Sequence, residues 1–145
     1  MKRKLIFISI ILAFLLVNVI TLSFGKNDLS ITACAAQSYA KSVSYNDAVK
    51  LNKPVVVTFY ADWCGYCRRF IPIHEDLASE FASKYTFVNV NVDAPENQQV
   101  VKSFNVRSYP SLFLVNPKTG EKQFINQRYY IDKAQMEKEF NKFLK

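Results

Sequence analysis

Two cysteines separated by two residues, Cys64 and Cys67, constrain this sequence more than any other feature. They follow Val55–Tyr60, an apolar run of β-branched and aromatic residues that is typical of a buried central strand. A long amphipathic stretch begins at Gly65, so the pair lies where a strand passes into a helix. Free N–H groups and the dipole of a first helical turn stabilise an anion there. We therefore expect Cys64 to be stabilised as a thiolate, the nucleophilic form of cysteine.

The spacing of the pair predicts a division of roles. Cys67 lies one turn deeper in the helix than Cys64, within disulfide distance but shielded. Cys64 would form a mixed disulfide with a partner, and Cys67 would resolve it. A structural zinc site needs four ligands, whereas the domain offers only these two cysteines and His74. An inert disulfide across so short a loop would restrain the unfolded chain little. We predict His74, seven residues past Cys67, to be a surface or edge histidine that lies too far from the cysteine pair to act as its catalytic base.

The N-terminus has the pattern of an export signal or a membrane anchor. Lys2, Arg3 and Lys4 precede an uncharged, mostly apolar run over 5–24, long enough to span a bilayer. The run is either retained as an anchor or cleaved, with small residues suited to cleavage at Ser23-Phe24-Gly25 and at Ala33-Cys34-Ala35. Alternatively, Ile31-Thr32-Ala33-Cys34 resembles a lipoprotein box and would make Cys34 a lipidated residue. Each alternative places the rest of the chain outside the cytoplasm, in a periplasm or at the outer face of the cell membrane.

The chain length suits a single domain behind this segment. We divide the sequence into a signal peptide or anchor over 1–25, a linker over 26–41 and a domain over 42–145. The formal net charge is +7, without a block of Lys and Arg residues. A nucleic-acid partner is therefore not predicted.

The domain alternates strand and helix patterns. Strands are predicted at 55–60, 86–92 and 111–115, with a hairpin partner at 121–126 after the turn 116–120. Helices are predicted at 44–52, 65–84, 95–104 and 132–144. Pro72 should kink the second helix, and Asp132 should cap the last, whose buried stripe is Met136, Phe140, Phe143 and Leu144. This order predicts an α/β fold with a mixed central β-sheet flanked by helices.

Three motifs in order carry a resemblance to a known family. The run Phe59-Tyr60-Ala61-Asp62-Trp63-Cys64-Gly65-Tyr66-Cys67 resembles the active-site strand and turn of thioredoxins. Pro72, five residues after the second cysteine, matches the kinking proline of their active-site helix. The segment Val106-Arg107-Ser108-Tyr109-Pro110-Ser111 resembles the one that holds their cis-proline. Over about residues 44–145 the chain is thus identified as a member of the thioredoxin-like superfamily, which implies the thioredoxin fold and a thiol–disulfide oxidoreductase.

The resemblance also implies residue roles. Cys64 would attack and Cys67 would resolve, and substrate would be bound by Trp63, Gly65, Tyr66, Tyr109 and Pro110. Pro110 would be cis, leaving the Tyr109 backbone free to pair with an extended substrate peptide. The implied partners are protein thiols and disulfides, together with a redox partner protein that can be a membrane protein. The only implied cofactor is the redox-active disulfide itself, with no metal.

The sequence departs from the family pattern at three places. Thr58 stands where thioredoxins commonly bury an acidic residue, and Asn89 where they often place a lysine, so a neutral pair replaces an ion pair. Tyr129 and Tyr130 stand about where a glycine is usual. The dipeptide between the cysteines is Gly65-Tyr66, which looks more like envelope disulfide isomerases than the Gly-Pro of thioredoxins.

The sequence leaves three possible directions open: reductase, oxidase or isomerase. Two alternatives to disulfide exchange also stay open. One is a non-catalytic peptide-binding or chaperone module of the same fold, and the other is a thiol peroxidase.

Overall fold

The structure, a computed structural model, describes residues 39–145. The predicted signal or anchor, most of the linker and Cys34 lie outside the described residues. The α-helices are α1 (Tyr45–Ala48), α2 (Gly65–Glu80), α3 (Gln98–Ser103) and α4 (Lys133–Phe143). The strands are β1 (Val55–Tyr60), β2 (Thr86–Asn91), β3 (Ser111–Val115) and β4 (Lys122–Phe124). Short 3₁₀ helices lie at Val49–Leu51, Pro95–Asn97 and Gln127–Ile131.

The four strands form a mixed sheet in the order β2-β1-β3-β4. β1 is parallel to β2, with Val55 opposite Thr86 and Tyr60 opposite Asn91. It is antiparallel to β3, which is in turn antiparallel to β4. The first five residues of β1 are buried, as expected of an apolar strand covered on both faces. The predicted thioredoxin fold, with its mixed sheet and flanking helices, is confirmed.

Helix α2 positions the cysteine pair over the sheet. It contains Pro72, as predicted, and buries Phe70, Ile71 and Leu77. The helix ends at Glu80, four residues before the predicted end. Because Cys64 is its N-cap, the pair is fixed at the point where the chain passes from β1 into α2.

The last helix follows its predicted cap. The Asp132 side chain accepts a hydrogen bond from the Gln135 backbone N–H at 3.1 Å. Met136 and Phe140 are fully buried, but the predicted burial of Leu144 is wrong, since that residue is 38% exposed. The helix ends at Phe143 and Leu144 is its C-cap. Leu144 therefore does not extend the buried stripe of the helix.

Several other elements differ from the prediction. The helix expected over 95–104 is a 3₁₀ turn followed by the shorter α3, and the hairpin strand is only three residues long. The 3₁₀ helix Gln127–Ile131 was not predicted, because its sequence has no helical periodicity. The packed part of the domain also reaches back to Tyr39, a predicted linker residue that is 6% exposed. None of the helices among residues 39–145 has the length and apolar content of a membrane span.

Candidate active site

Cys64 and Cys67 form a disulfide across the first turn of α2, with their Cα atoms 5.2 Å apart. The Cys67 backbone N–H donates a hydrogen bond to Cys64 Sγ at 3.1 Å. This donor is one of the free amides of the helix N-terminus, and it would stabilise negative charge on the Cys64 sulfur after reduction. Cys64 is 6% exposed and Cys67 only 1%. The two sulfurs are therefore chemically different positions.

Large aromatic side chains flank the pair and face solvent. Trp63 is 66% exposed and Tyr66 is 73% exposed. The Trp63 indole is held by a hydrogen bond from Nε1 to Asp93 Oδ2 at 2.8 Å. Its ring meets the Tyr109 ring edge-on, with centroids 6.0 Å apart. The structure thus brings the predicted Tyr109-Pro110 segment to the cysteine pair.

The loop before β3 carries the expected cis peptide bond between Tyr109 and Pro110. Gln127 holds this loop from both sides. Its Nε2 donates hydrogen bonds to Ser108 Oγ at 2.8 Å and to the Pro110 carbonyl at 2.7 Å. Sequence reasoning missed Gln127, since no local pattern around it signals a contact with a loop 17 residues earlier.

The two arginines that follow Cys67 in the chain make different contacts. Arg68 Nη1 donates to the Asp62 carbonyl at 2.9 Å. Arg69 instead lies over the Tyr66 ring, with its guanidinium carbon 5.6 Å from the centroid. Within residues 39–145, no carboxylate forms an ion pair with Arg69.

Comparisons with known proteins decide the family. The sequence profile of the Thioredoxin family matches residues 36–142. The chain belongs to the thioredoxin family. The chain combines thioredoxin-family membership with a disulfide between Cys64 and Cys67. This thioredoxin-family chain is therefore a thiol–disulfide oxidoreductase.

Individual relatives agree with this assignment. The chain is 37% identical over 94 residues to a thioredoxin of Alicyclobacillus acidocaldarius, covering 65% of this chain and 85% of that one. It is 30% identical over 111 residues to a mitochondrial thioredoxin domain-containing protein of Schizosaccharomyces pombe. That match covers 77% of this chain but only 28% of the yeast protein. The structure of a mutant thioredoxin from Halobacterium salinarum superposes with a TM-score of 0.59 at 27% identity, covering 74% and 89% of the two chains.

The thioredoxin-family departure at Thr58 and Asn89 is visible in the sheet. The two residues are paired across β1 and β2, and Thr58 is fully buried. Asn89 donates from Nδ2 to the Ala40 carbonyl at 2.9 Å, and its backbone N–H donates to Ser42 Oγ at 2.7 Å. Thr58 Oγ1 and Asn89 Oδ1 have no hydrogen-bond partner among the described residues. Asn89 therefore anchors the segment before α1, and a direct Thr58–Asn89 hydrogen bond is not formed.

His74 is buried rather than at the surface, so that prediction is wrong. It is 2% exposed and packs edge-on against Tyr39, Phe70 and Phe87, with centroids 4.9, 5.8 and 5.7 Å away. Seven residues are about two helical turns, so His74 shares the sheet-facing side of α2 with Cys67. Burial lowers the pKa of His74 to about 4, because the charged ring would lose its hydration.

Tyr39 connects the start of the domain to the cysteine pair. Its hydroxyl donates a hydrogen bond to the Cys67 carbonyl at 3.2 Å, and its ring packs on Tyr60 with centroids 4.6 Å apart. Burial raises the pKa of Tyr39, so the hydroxyl stays a donor across the physiological range. Within residues 39–145, no group of three or more His, Cys, Asp or Glu side chains is placed to hold a metal ion.

Proposed function

We propose that this chain exchanges disulfides with cysteines of other proteins outside the cytoplasm, with Cys64 as the nucleophile and Cys67 as the resolving residue. The asymmetry of the pair carries the proposal. Cys64 caps α2, its sulfur accepts a hydrogen bond from the Cys67 N–H, and it is the more exposed of the two residues, whereas Cys67 is almost fully buried. An attacking thiolate needs both stabilisation and access, and only Cys64 combines them.

The exchange balances as two substitutions at sulfur. The Cys64 thiolate attacks one sulfur of a substrate disulfide, whose S–S bond breaks, and the other substrate sulfur leaves as a thiolate and takes up a proton. Cys67 then loses its proton and attacks the Cys64 sulfur, releasing the second substrate thiolate. The protein dithiol is oxidised to a disulfide while the substrate disulfide is reduced to two thiols. The reverse sequence oxidises a substrate dithiol.

Substrate recognition would use the aromatic surface around the pair. Trp63, Gly65 and Tyr66 lie next to Cys64 in the chain. Tyr109 packs against Trp63, and Pro110 lines a pocket together with Tyr66. An extended substrate peptide would pair with the Tyr109 backbone as an added strand. A second redox protein would return the Cys64–Cys67 couple to its starting state after each turnover.

The first test identifies the roles. The Cys67→Ser variant should accumulate a mixed disulfide with a substrate protein, because the resolving thiol is gone, and Cys64→Ser should accumulate none. Both variants would be trapped by acid and alkylation and resolved by mass spectrometry. Mixed disulfides on Cys67 in the Cys64→Ser variant would contradict the assignment of the nucleophile.

The second test sets the direction. The full-length chain would be equilibrated across glutathione ratios and its thiols counted after alkylation. A potential near about −270 mV would make it a reductase, and one between about −180 and −120 mV an oxidase or isomerase. A pair that never forms a reversible disulfide would remove the exchange mechanism and leave a peptide-binding module.

The extracytoplasmic setting is supported by the charge and apolar pattern of residues 2–24. Intact cells would be treated with a mild reductant and then with a membrane-impermeant maleimide. Labelling of Cys64 without lysis is expected, and labelling only after lysis would contradict the setting. The mass of the recovered protein separates a retained anchor from a cleaved chain and from a lipid on Cys34.

A further inference from the structure

A pocket of about 550 Å³ opens next to the cysteine pair, between α2 and the 3₁₀ helix Gln127–Ile131. We call it the side pocket. Its walls come from three parts of the chain that the sequence keeps far apart. The residues that matter for its chemistry are Tyr66, Arg69, Ile73, Pro110, Tyr130 and Ile131.

The floor of the side pocket is apolar and fixed in place. Tyr130 stacks on Phe70 with ring centroids 4.6 Å apart and planes 19° apart, and both rings are buried. The Tyr130 hydroxyl accepts from the Leu112 N–H at 2.7 Å and donates to the Ile125 carbonyl at 3.2 Å. Because that polar end is fully used inside the domain, Tyr130 offers the pocket only its ring.

The rim of the side pocket carries large side chains that are exposed to solvent instead of being buried in the core. Ile131 is 89% exposed and Tyr66 is 73% exposed. Single exposed apolar residues are ordinary, but these two line one pocket whose floor is also apolar. Such a pocket favours a large apolar side chain as its occupant.

The charge of the pocket wall further limits which side chains the side pocket would bind. Among residues 39–145, Arg69 is the charged residue of the pocket wall, and no acidic side chain lines the pocket with it. Its guanidinium rests on Tyr66 without a carboxylate partner among residues 39–145. A carboxylate on the occupant would complete this arrangement with charge-assisted hydrogen bonds.

The side pocket is continuous with the peptide surface of the active site. Pro110 and Tyr66 belong to its wall, and Tyr66 lies between the two cysteines in sequence. A chain whose cysteine reaches Cys64 would place residues two to four positions away about 7–13 Å along an extended backbone. We take these offsets as the ones at which a side chain enters the pocket while the substrate sulfur stays at Cys64.

We infer that the side pocket selects protein substrates in which a large apolar side chain and an adjacent acidic residue lie two to four positions from the reacting cysteine. The inference rests on the proposed exchange function and names its substrate class. Ile131 and the Tyr130 ring bind the apolar group, and Arg69 binds the carboxylate. Arg69 and Ile131 are specificity-determining residues in this arrangement.

The test uses short peptides whose single cysteine is a mixed disulfide with 4-thiopyridine, a neutral leaving group. Attack by Cys64 on the peptide sulfur breaks that S–S bond and releases 4-thiopyridone, whose absorbance gives the rate. The reduced full-length chain in mild detergent would carry Cys34→Ala, so that only the active pair reacts. Peptides would present Phe-Asp, Phe-Lys or Ala-Asp at offsets of two, three and four residues.

The wild-type active site should react with Phe-Asp about five- to tenfold faster than with Phe-Lys at the best offset, since one partly screened ion pair becomes a repulsion. Arg69→Glu should invert that ratio. Arg68→Glu is the matched control, because Arg68 is an adjacent exposed cation bonded to the Asp62 carbonyl outside the side pocket. Arg68→Glu can change the overall rate, but the ratio of the Phe-Asp rate to the Phe-Lys rate should stay as in the wild type. Ile131→Ser should lower the preference for Phe-Asp over Ala-Asp.

Cysteamine activated with 4-thiopyridine, which lacks side chains, distinguishes a failure of the exchange function from a failure of the side-pocket inference. If reduced Cys64 does not react with it, the exchange function itself fails. If Cys64 reacts, and the peptide ratios are near one or are shifted equally by Arg69→Glu and Arg68→Glu, the exchange function stands and the side-pocket inference is overturned.

Discussion

The Gln127 amide donates a 2.7 Å hydrogen bond to the carbonyl oxygen of Pro110, the cis-proline of the candidate site. The same amide group donates to Ser108 Oγ, so one side chain fixes the loop on both sides of Tyr109. A loop that is already held in its binding conformation loses less conformational entropy when a substrate backbone binds to it. Binding is therefore more favourable. We therefore expect Gln127 to act as a positioning residue in disulfide exchange.

Replacing Gln127 with alanine should lower kcat/KM for peptide disulfides by up to about thirtyfold, since two hydrogen bonds of about 1 kcal/mol each no longer hold the loop in place. The reduction potential of the couple should not change, because the sulfurs and their N–H donor are untouched. Gln99→Ala is the control, because Gln99 is an exposed glutamine on α3, in a different element from Gln127. Equal losses in the two variants would contradict the positioning role.

The hydrogen bond from Trp63 to Asp93 should keep the exposed indole in one orientation. Trp63 is the sole tryptophan of the chain, so intrinsic fluorescence reports on it alone. Asp93→Ala should lower the steady-state anisotropy and slow peptide exchange severalfold. Glu96→Ala removes a nearby exposed acid without touching the indole and should leave the anisotropy unchanged. Unchanged anisotropy in Asp93→Ala would show that the edge contact with Tyr109 suffices.

Tyr39 should contribute to stability although it precedes the predicted domain boundary. Tyr39→Phe removes a buried hydrogen bond to the Cys67 carbonyl and should reduce the free energy of unfolding by about 1 kcal/mol. Tyr39→Ala also removes the ring, for a loss of about 3–5 kcal/mol. Urea denaturation would measure both, with Tyr45→Phe as the control because its hydroxyl makes no hydrogen bond to the described residues.

The same contacts predict a difference between two truncated chains. A chain starting at residue 36 retains Tyr39 and the Ala40 carbonyl that accepts from Asn89, and one starting at residue 42 loses both. The shorter chain should unfold at a clearly lower urea concentration. Coincident unfolding curves would mean that Tyr39 is not part of the cooperative domain.

His74 should make the domain lose stability in acid. Its pKa is about 4 in the folded chain against an ordinary value of 6.5, so the unfolded state binds more protons between these two pH values. The free energy of unfolding contributed by neutral His74 is complete above pH 6.5 and falls as the pH drops towards 4. The aromatic neighbours Tyr39, Phe70 and Phe87 bring no carboxylate against the ring.

The difference between wild type and His74→Leu isolates this effect from the other titrating groups. Wild type should lose about 3 kcal/mol more than His74→Leu between pH 7 and pH 4, from the size of the pKa difference. Urea denaturation at a series of pH values would measure it. Parallel pH profiles for the two proteins would contradict a buried neutral histidine.

Much of the fold could be predicted because its signals are local. The apolar run 55–60 gives a strand buried on both faces, and the cysteine spacing gives a pair at the start of α2. The cap of α4 needs only Asp132 and Gln135, three residues apart. Such features depend on periodicity and capping within one element, so a single sequence is enough to find them.

Tertiary structure alone decided which distant residues meet. Asp93 reaches Trp63 across 30 positions and Tyr39 reaches Cys67 across 28, and neither approach has a local signal. The burial of His74 depends on Tyr39 and Phe87 closing over it from other elements. The reactive pair and the strand and helix that hold it follow from the sequence, because local patterns specify them. The side pocket and the surroundings of the pair were decided only when the packed sheet and helices brought remote side chains together.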